Sequence, residues 1–229
     1  MTASRARAVH LVTAIVATFA LVLQTVLVLR GSSVLDETQV PPLGARLARL
    51  VAYFTIQSNL LVAVTSWQLV GNPARDGRWW RPVRLAAIVG ISVTGLVHFV
   101  LLRPLLHLEG ASYLADKLLH MVVPVLAVVA WLLVGPRPRA ALSVAWTTLA
   151  WPILWLVVIL AQGSVTGWYP YPFLDLDAKG AGAVFVSCLG VTVVFLAVSA
   201  LAVWIDRRMR PEPVRDPAPD PAPTVATAE

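Results

Sequence analysis

Charged residues are scarce in this sequence of 229 residues: 13% are charged and 58% are hydrophobic. A soluble domain carries about 25% charged residues, so this chain has too few polar groups to cover a surface that faces water. Its only cysteine, Cys188, rules out an internal disulfide; it lies in an apolar run, where we expect it to pack as a small hydrophobic residue. The sequence also has no P-loop, no GxGxxG motif and no Cys/His cluster at metal-ligand spacing. We therefore expect a membrane protein with no cofactor and no metal ion.

Six apolar stretches approach the length of about 20 residues that a helix needs to cross a bilayer. They are Val9–Leu29, Leu50–Val70, Leu85–Leu102, Leu118–Val134, Ala140–Ala161 and Gly182–Trp204. The first is longer than the apolar core of a signal peptide, so we expect it to be retained as a helix. The sequence thus predicts an all-α polytopic membrane protein, with a bundle of six transmembrane helices in residues 1–210. Residues 211–229 repeat proline with aspartate and alanine, which predicts a disordered cytoplasmic tail.

Basic residues are distributed unequally between the two sides of these spans. They stand in short loops between apolar runs, a pattern that reflects membrane orientation, so we expect no nucleic-acid partner despite the formal charge of +6. One side has twelve of them: Arg5, Arg7, Arg75, Arg78, Arg81, Arg84, Arg137, Arg139, Arg207, Arg208, Arg210 and Arg215. The other side has six: Arg30, Arg46, Arg49, Arg103, Lys117 and Lys179. The positive-inside rule then predicts a plasma-membrane protein with both termini in the cytoplasm, and the preference for arginine and alanine suggests a bacterial genome.

Two of the spans carry polar residues that share a helix face. On the second span Thr55, Ser58 and Asn59 are spaced i, i+3, i+4. On the third span His98 ends a stripe of small and polar residues at intervals of four, which predicts that the stripe faces the interior of the bundle. Polar groups at membrane depth are costly and often mark a functional site. They also join helices by hydrogen bonds, and that structural interpretation stays open for each residue.

At its start, the fourth span has a carboxylate and an imidazole about one helical turn apart. Asp116 and His120 are spaced i, i+4, which allows a carboxylate to hold an imidazole on one helix face. Pro124 lacks the N–H that would bond the carbonyl of His120, so we expect a kink at this point. This pair is a better catalytic candidate than a lone histidine, with a structural polar network as the alternative.

These polar positions all lie near the outer ends of their spans. At about 1.5 Å per residue, Thr55, His98 and His120 are within about 8 Å of the outer interface. The long fifth loop returns to the same side with the aromatic segment WYPYPFLD, which contains Tyr169, Tyr171 and Phe173. We expect this segment to lie across the mouth of the bundle as part of a substrate-binding pocket. Anchoring at the lipid headgroups is the alternative for its aromatic rings.

The motifs YFTIQSNLL around Thr55, LLHMVVPVL around His120 and GWYPYPFLD in the fifth loop resemble the androgen-induced membrane hydrolases. The resemblance is closest to the bacterial branch of that family and extends over most of the chain. Those proteins are multispan hydrolases that cleave fatty-acid esters of hydroxy fatty acids with a threonine and a histidine. The resemblance implies that Thr55 is the nucleophile, that His120 is its base, and that the partners are membrane lipids and a lipid ester substrate.

The remaining polar residues suit supporting roles in such a reaction. A threonine hydroxyl becomes nucleophilic when a neighbouring base takes its proton. Asp116 can fix the tautomer of His120, as in a catalytic triad. Asn59 or His98 can donate a hydrogen bond to an oxyanion.

Two other classes of function use the same residues. One is a non-catalytic membrane protein, or a transporter, that binds a lipid or small molecule in the same polar pocket. We find no internal repeat, and the polar groups lie toward one membrane face, so the pattern is not typical of transporters. The other is a heme or quinone protein that uses His98 and His120.

Overall fold

The computed structural model describes residues 2–32, 40–136 and 142–209, which form helices and contain no β-strand. Its α-helices are α1 (Ala3–Leu29), α2 (Leu43–Ala52), α3 (Phe54–Gly71), α4 (Trp80–Val97), α5 (Gly110–Lys117), α6 (Val123–Val134), α7 (Leu142–Thr166) and α8 (Leu176–Arg208). Single π-helical turns cover His98–Leu102 and Leu118–Val122, and short 3₁₀ turns cover Arg103–Leu105 and Pro172–Leu174.

The described part of the chain has five helical segments that are long and apolar enough to cross a membrane, or six if the bent pair α2–α3 counts as one span. The prediction of an all-α polytopic membrane protein is confirmed. The predicted tail at residues 211–229 lies outside the described residues, as do the first two residues of the predicted span Ala140–Ala161.

Helix α4 occupies the centre of the bundle. It contacts α3, α6, α7 and α8, and 56% of its most apolar segment is buried inside the protein. The corresponding share for α7 and for α8 is 17%. Large apolar side chains on these outer helices, such as Val157 and Val186, therefore face outward, where lipid rather than water is the natural solvent.

The second span differs from the single straight helix predicted over Leu50–Val70. The chain bends by 68° between α2 and α3, at Tyr53, whose backbone is extended. Helix α2 packs beside the end of α1, where Arg46 donates to the carbonyl of Val28, one of the carbonyls that lack a partner inside the helix. The bend makes Thr55 the second residue of a helix instead of an interior one.

Both π-helical turns end two residues before a proline. Pro124 has no N–H to bond the carbonyl of His120, and the preceding residue, Val123, donates to Leu118 five positions back. In the same way Arg103, just before Pro104, donates to the carbonyl of His98. The irregularity expected at Pro124 is thus a π turn, and each of the two turns contains one of the histidines singled out above.

Candidate active site

Three spans bring the predicted polar residues together at one end of the bundle. Thr55 lies in the first turn of α3, His98 follows the last turn of α4, and Asp116 and His120 belong to the segment from α5 into the second π turn. Thr55 and Asp116 are each 6% exposed and His98 is 1% exposed. Although they come from three spans, these four side chains form one cluster, in which His120 is partly buried and the other three are buried.

Thr55, His120 and Asp116 form a linear series of polar contacts. The hydroxyl oxygen of Thr55 is 3.2 Å from Nε2 of His120, and Nδ1 of His120 is 3.0 Å from Oδ1 of Asp116. The backbone carbonyl of Asp116 is also 3.0 Å from Nδ1. Because carboxylate and carbonyl oxygens only accept, Nδ1 of the neutral imidazole carries the hydrogen and Nε2 presents its lone pair to the Thr55 hydroxyl. This is the arrangement that general-base activation of a hydroxyl requires.

Asp116 has two further basic neighbours. Nζ of Lys117 is 3.0 Å from Oδ2, and Nε2 of His98 is 3.5 Å from Oδ1, which is long for a hydrogen bond. The ring of His98 stacks on that of His120 with centroids 3.9 Å apart and planes inclined by 12°. His98 thus supports one face of the His120 ring.

This stacking bears on the heme alternative, and the donor atoms of the cluster bear on metal binding. Two imidazoles in face-to-face contact leave no space for a porphyrin between them, so His98 and His120 cannot ligate one heme iron from opposite sides. The donor atoms of His98, Asp116 and His120 do lie within 4.8 Å of one another, and such a set can hold a metal ion. The Lys117 ammonium on Asp116 competes with a cation there, because the two positive charges would repel each other.

Asn59 holds the backbone at the cluster, and Ser58 joins two of its helices. Nδ2 of Asn59 donates to the carbonyls of Thr55, at 2.8 Å, and Leu119, at 3.1 Å. Both of its amide hydrogens are therefore occupied, and Asn59 has none left for the oxyanion predicted from the sequence. The hydroxyl of Ser58 is 2.8 Å from that of Thr94 and joins α3 to α4.

The fifth loop places a phenol against Thr55. The hydroxyl of Tyr171 accepts from the backbone N–H of Thr55 at 3.3 Å and lies 3.3 Å from the Thr55 hydroxyl oxygen. The ring is held by Tyr53 and Phe173, at centroid distances of 5.8 and 5.3 Å. Burial raises the pKa of the Tyr171 phenol, so it keeps its proton as a hydrogen-bond donor.

The other two aromatic residues predicted for substrate binding have different positions. Phe173 stacks on Tyr171 and lines a cavity described below. Tyr169 is 6% exposed and packs against Gly163, where an added Cβ would be 2.0 Å from its ring. It lines neither of the two cavities at the cluster.

Gly95 allows α4 to approach the His120 turn closely. A Cβ at this position would lie 3.2 Å from the carbonyl oxygen of His120 and 3.3 Å from Cβ of Pro124. The glycine therefore makes room for the carbonyl that Pro124 leaves without its helical partner.

Two partly open cavities meet at Thr55. The first, here called the loop-side cavity, is lined by His98, Asp116 and His120. The second, the lateral cavity, lies between α4, α7 and α8. Their volumes, with the open mouths included, are about 740 and 860 Å³. Thr55, Leu102 and Tyr171 line both. Thr55 thus borders both cavities although the residue is 6% exposed.

Sequence reasoning missed Lys117 and the contact of Tyr171 with Thr55. Lys117 follows Asp116 directly, and a basic residue beside an intramembrane carboxylate could have indicated an ion pair at the site. For Tyr171 the available signal was its place in the aromatic loop, which indicates proximity to the mouth of the bundle but no specific partner.

The fold and the site together define a polytopic α-helical membrane protein with a buried Thr–His–Asp cluster at one end of its bundle. Comparison of the chain with models of protein families, with curated proteins and with solved structures finds no match.

Proposed function

We propose that this membrane protein is a threonine-dependent hydrolase of fatty-acyl esters. The observation that carries the proposal is the series Thr55–His120–Asp116, with contacts of 3.2 and 3.0 Å between successive side chains. The motif resemblance to the androgen-induced membrane hydrolases supports the same pair, with Thr55 as nucleophile and His120 as base. The substrate class follows from the setting, because a site embedded among apolar helices is accessible to lipid esters.

The proposed reaction has two balanced steps. In the first, His120 takes the hydroxyl proton of Thr55 while the hydroxyl oxygen bonds to the ester carbonyl carbon; the ester C–O bond then breaks and His120 protonates the leaving alcohol. In the second, His120 takes a proton from water, the resulting hydroxide bonds to the acyl carbon, and the bond to Thr55 breaks. The products are a fatty acid and an alcohol, and Thr55 recovers its proton. Asp116 holds the tautomer of His120 throughout.

The oxyanion formed in each step requires hydrogen-bond donors and a favourable field. We assign the donor role to the Tyr171 hydroxyl, 3.3 Å from the Thr55 hydroxyl oxygen. The location of Thr55 in the first turn of α3 adds the partial positive charge of a helix N-terminus. Asn59 instead holds the backbone of Thr55 in place.

The test is hydrolysis of a long-chain p-nitrophenyl ester by the purified protein. We expect Thr55→Ala and His120→Ala each to reduce the rate to background, and Thr55→Ser, which keeps a hydroxyl, to retain part of it. Thr13→Ala is a matched control, because Thr13 is also buried, at 1% exposed, and its hydroxyl bonds the carbonyl of Val9 within its own helix. Full activity in either alanine variant of the pair contradicts the proposal.

A non-catalytic lipid-binding protein is the second candidate, and the two mainly apolar cavities are the observation that favours it. A fluorophosphonate probe separates the candidates because it reacts only with an activated hydroxyl. Labelling of Thr55 that requires His120 supports the hydrolase. Binding of a fatty acid without labelling or turnover supports the binding protein.

For the orientation, we propose that the protein lies in a bacterial plasma membrane with both termini in the cytoplasm and the active site toward the outer leaflet. The support is the distribution of basic residues, twelve on the side of the termini and six on the other. A reporter that is active only in the cytoplasm is expected to be active when fused to either terminus. An active alkaline phosphatase fusion, which requires the periplasm, would indicate the opposite orientation.

A further inference from the structure

The two cavities at Thr55 differ in what surrounds the nucleophile. His120, Asp116 and His98 line the loop-side cavity, and none of them lines the lateral cavity. Beyond Thr55, the lateral cavity is surrounded mainly by apolar side chains, among them Val93, Leu156 and Phe195. The acid–base machinery is therefore accessible from one side of Thr55 only.

The proposed chemistry gives each side a distinct task. The leaving alcohol must face His120, which protonates it, and the water that replaces it must face the same imidazole. The acyl group stays bonded to Thr55 through both steps and needs no acid or base along its chain. Its hydrocarbon is best accommodated by apolar walls.

The lateral cavity also reaches the outside of the bundle. Two of its lining residues, Ile153 on α7 and Leu196 on α8, are 61% and 42% exposed. An acyl chain can thus enter between α7 and α8 directly from the bilayer.

We infer that the lateral cavity binds the acyl chain of the ester and sets the preferred chain length, while the loop-side cavity holds the alcohol portion. This inference rests on the proposed hydrolase function. Cys188 lines the lateral cavity and Ser112 lines the loop-side cavity, so each offers a position at which one cavity can be filled separately.

The first experiment compares p-nitrophenyl esters with acyl chains of different length, from butyrate to palmitate. Cys188→Trp is expected to reduce kcat/KM at least tenfold for palmitate and little for butyrate, and the smaller Cys188→Leu to have an intermediate effect. Ser112→Trp is the matched control. It is expected to leave the ratio of kcat/KM for palmitate to kcat/KM for butyrate unchanged, and to slow the hydrolysis of esters of bulky alcohols. An unchanged ratio in both Cys188 variants overturns the inference.

The second experiment measures binding without turnover. The fluorescent C18 polyene parinaric acid is titrated into Thr55→Ala protein in detergent, alone and combined with Cys188→Trp or Cys188→Leu. We expect the Kd to rise at least tenfold with Cys188→Trp and less with Cys188→Leu. If binding weakens in this way but the wild type hydrolyses no ester, the cavity assignment is supported and the hydrolase function is refuted. If the wild type hydrolyses esters but the Kd is unchanged in the Cys188 variants, the cavity assignment is refuted and the hydrolase function is not.

Discussion

The Tyr171 hydroxyl offers a sharp test of the proposed mechanism because one atom can be removed without changing the surrounding packing. Tyr171→Phe keeps the ring contacts with Tyr53, Trp155 and Phe173, whose centroids lie 5.8, 5.9 and 5.3 Å away. It removes only the oxygen that lies 3.3 Å from the Thr55 hydroxyl. A loss of function should therefore report the contacts of that oxygen, which lie with the hydroxyl and with the backbone N–H of Thr55.

The length of that contact indicates how the Tyr171 hydroxyl acts during the reaction. At 3.3 Å it exceeds the usual range of about 2.5–3.0 Å for O–H···O bonds. The Tyr171–Thr55 contact is therefore weak in the resting protein, and the Tyr171 hydroxyl is free to donate to the substrate oxygen when negative charge develops there. Removing one oxyanion donor costs about 10²–10³ in kcat. We expect a loss of this size in kcat with KM changed by less than about threefold, since interactions made only in the transition state act on kcat.

The assay is steady-state hydrolysis of a long-chain p-nitrophenyl ester, with kcat and KM determined separately. Tyr169→Phe is the matched control, because Tyr169 belongs to the same loop and is buried, but its hydroxyl has no hydrogen-bond partner in the described part of the chain. Tyr171→Phe also leaves the Thr55 N–H without its acceptor, so a thermal unfolding curve should accompany the kinetics. Equal kcat in Tyr171→Phe and Tyr169→Phe refutes the oxyanion assignment.

Three further predictions concern the residues around the histidine. Asp116→Asn is expected to lower kcat by about 10²–10⁴ because an amide at this position permits the wrong tautomer of His120; unchanged kinetics would remove Asp116 from the mechanism. Gly95→Ala is expected to reduce activity because its Cβ would lie 3.2 Å from the His120 carbonyl oxygen, whereas Gly71→Ala, with open space at its Cβ, should be neutral; equal effects of the two would contradict this. Hydrolysis is expected to survive treatment with EDTA or 1,10-phenanthroline because Lys117 competes for Asp116, and loss that added zinc restores would indicate a metal site instead.

The helical spans were predictable because hydropathy is a local property. Each apolar run approaches the length that crosses a bilayer, and the described part of the chain contains five to six such spans. The pairing of Asp116 with His120 was also local, since a spacing of i, i+4 brings two side chains together on any helix. The stripe that ends at His98 was predicted from the same periodicity, and His98 is 1% exposed.

The boundaries of the elements were less predictable. The bend at Tyr53 depends on how α2 packs at the end of α1, where Arg46 finds the carbonyl of Val28. The π turn before Pro124 depends on which carbonyl accepts the hydrogen bond from the N–H of Val123, because Pro124 has no N–H of its own. Both the bend and the π turn depend on packing against neighbouring helices, which hydropathy does not describe.

By itself, the sequence determined the class of protein, the approximate number of spans and the residue types that can perform acid–base chemistry. Only the tertiary structure decided which of them meet. Thr55 and His120 are separated by 65 positions, and Thr55 and Tyr171 by 116. Contacts over such distances depend on how helices pack in three dimensions, and the bend at Tyr53, the two π turns and Gly95 determine that packing at the site. The two cavities at Thr55 arise for the same reason, since their walls come from helices that are remote from one another in the chain.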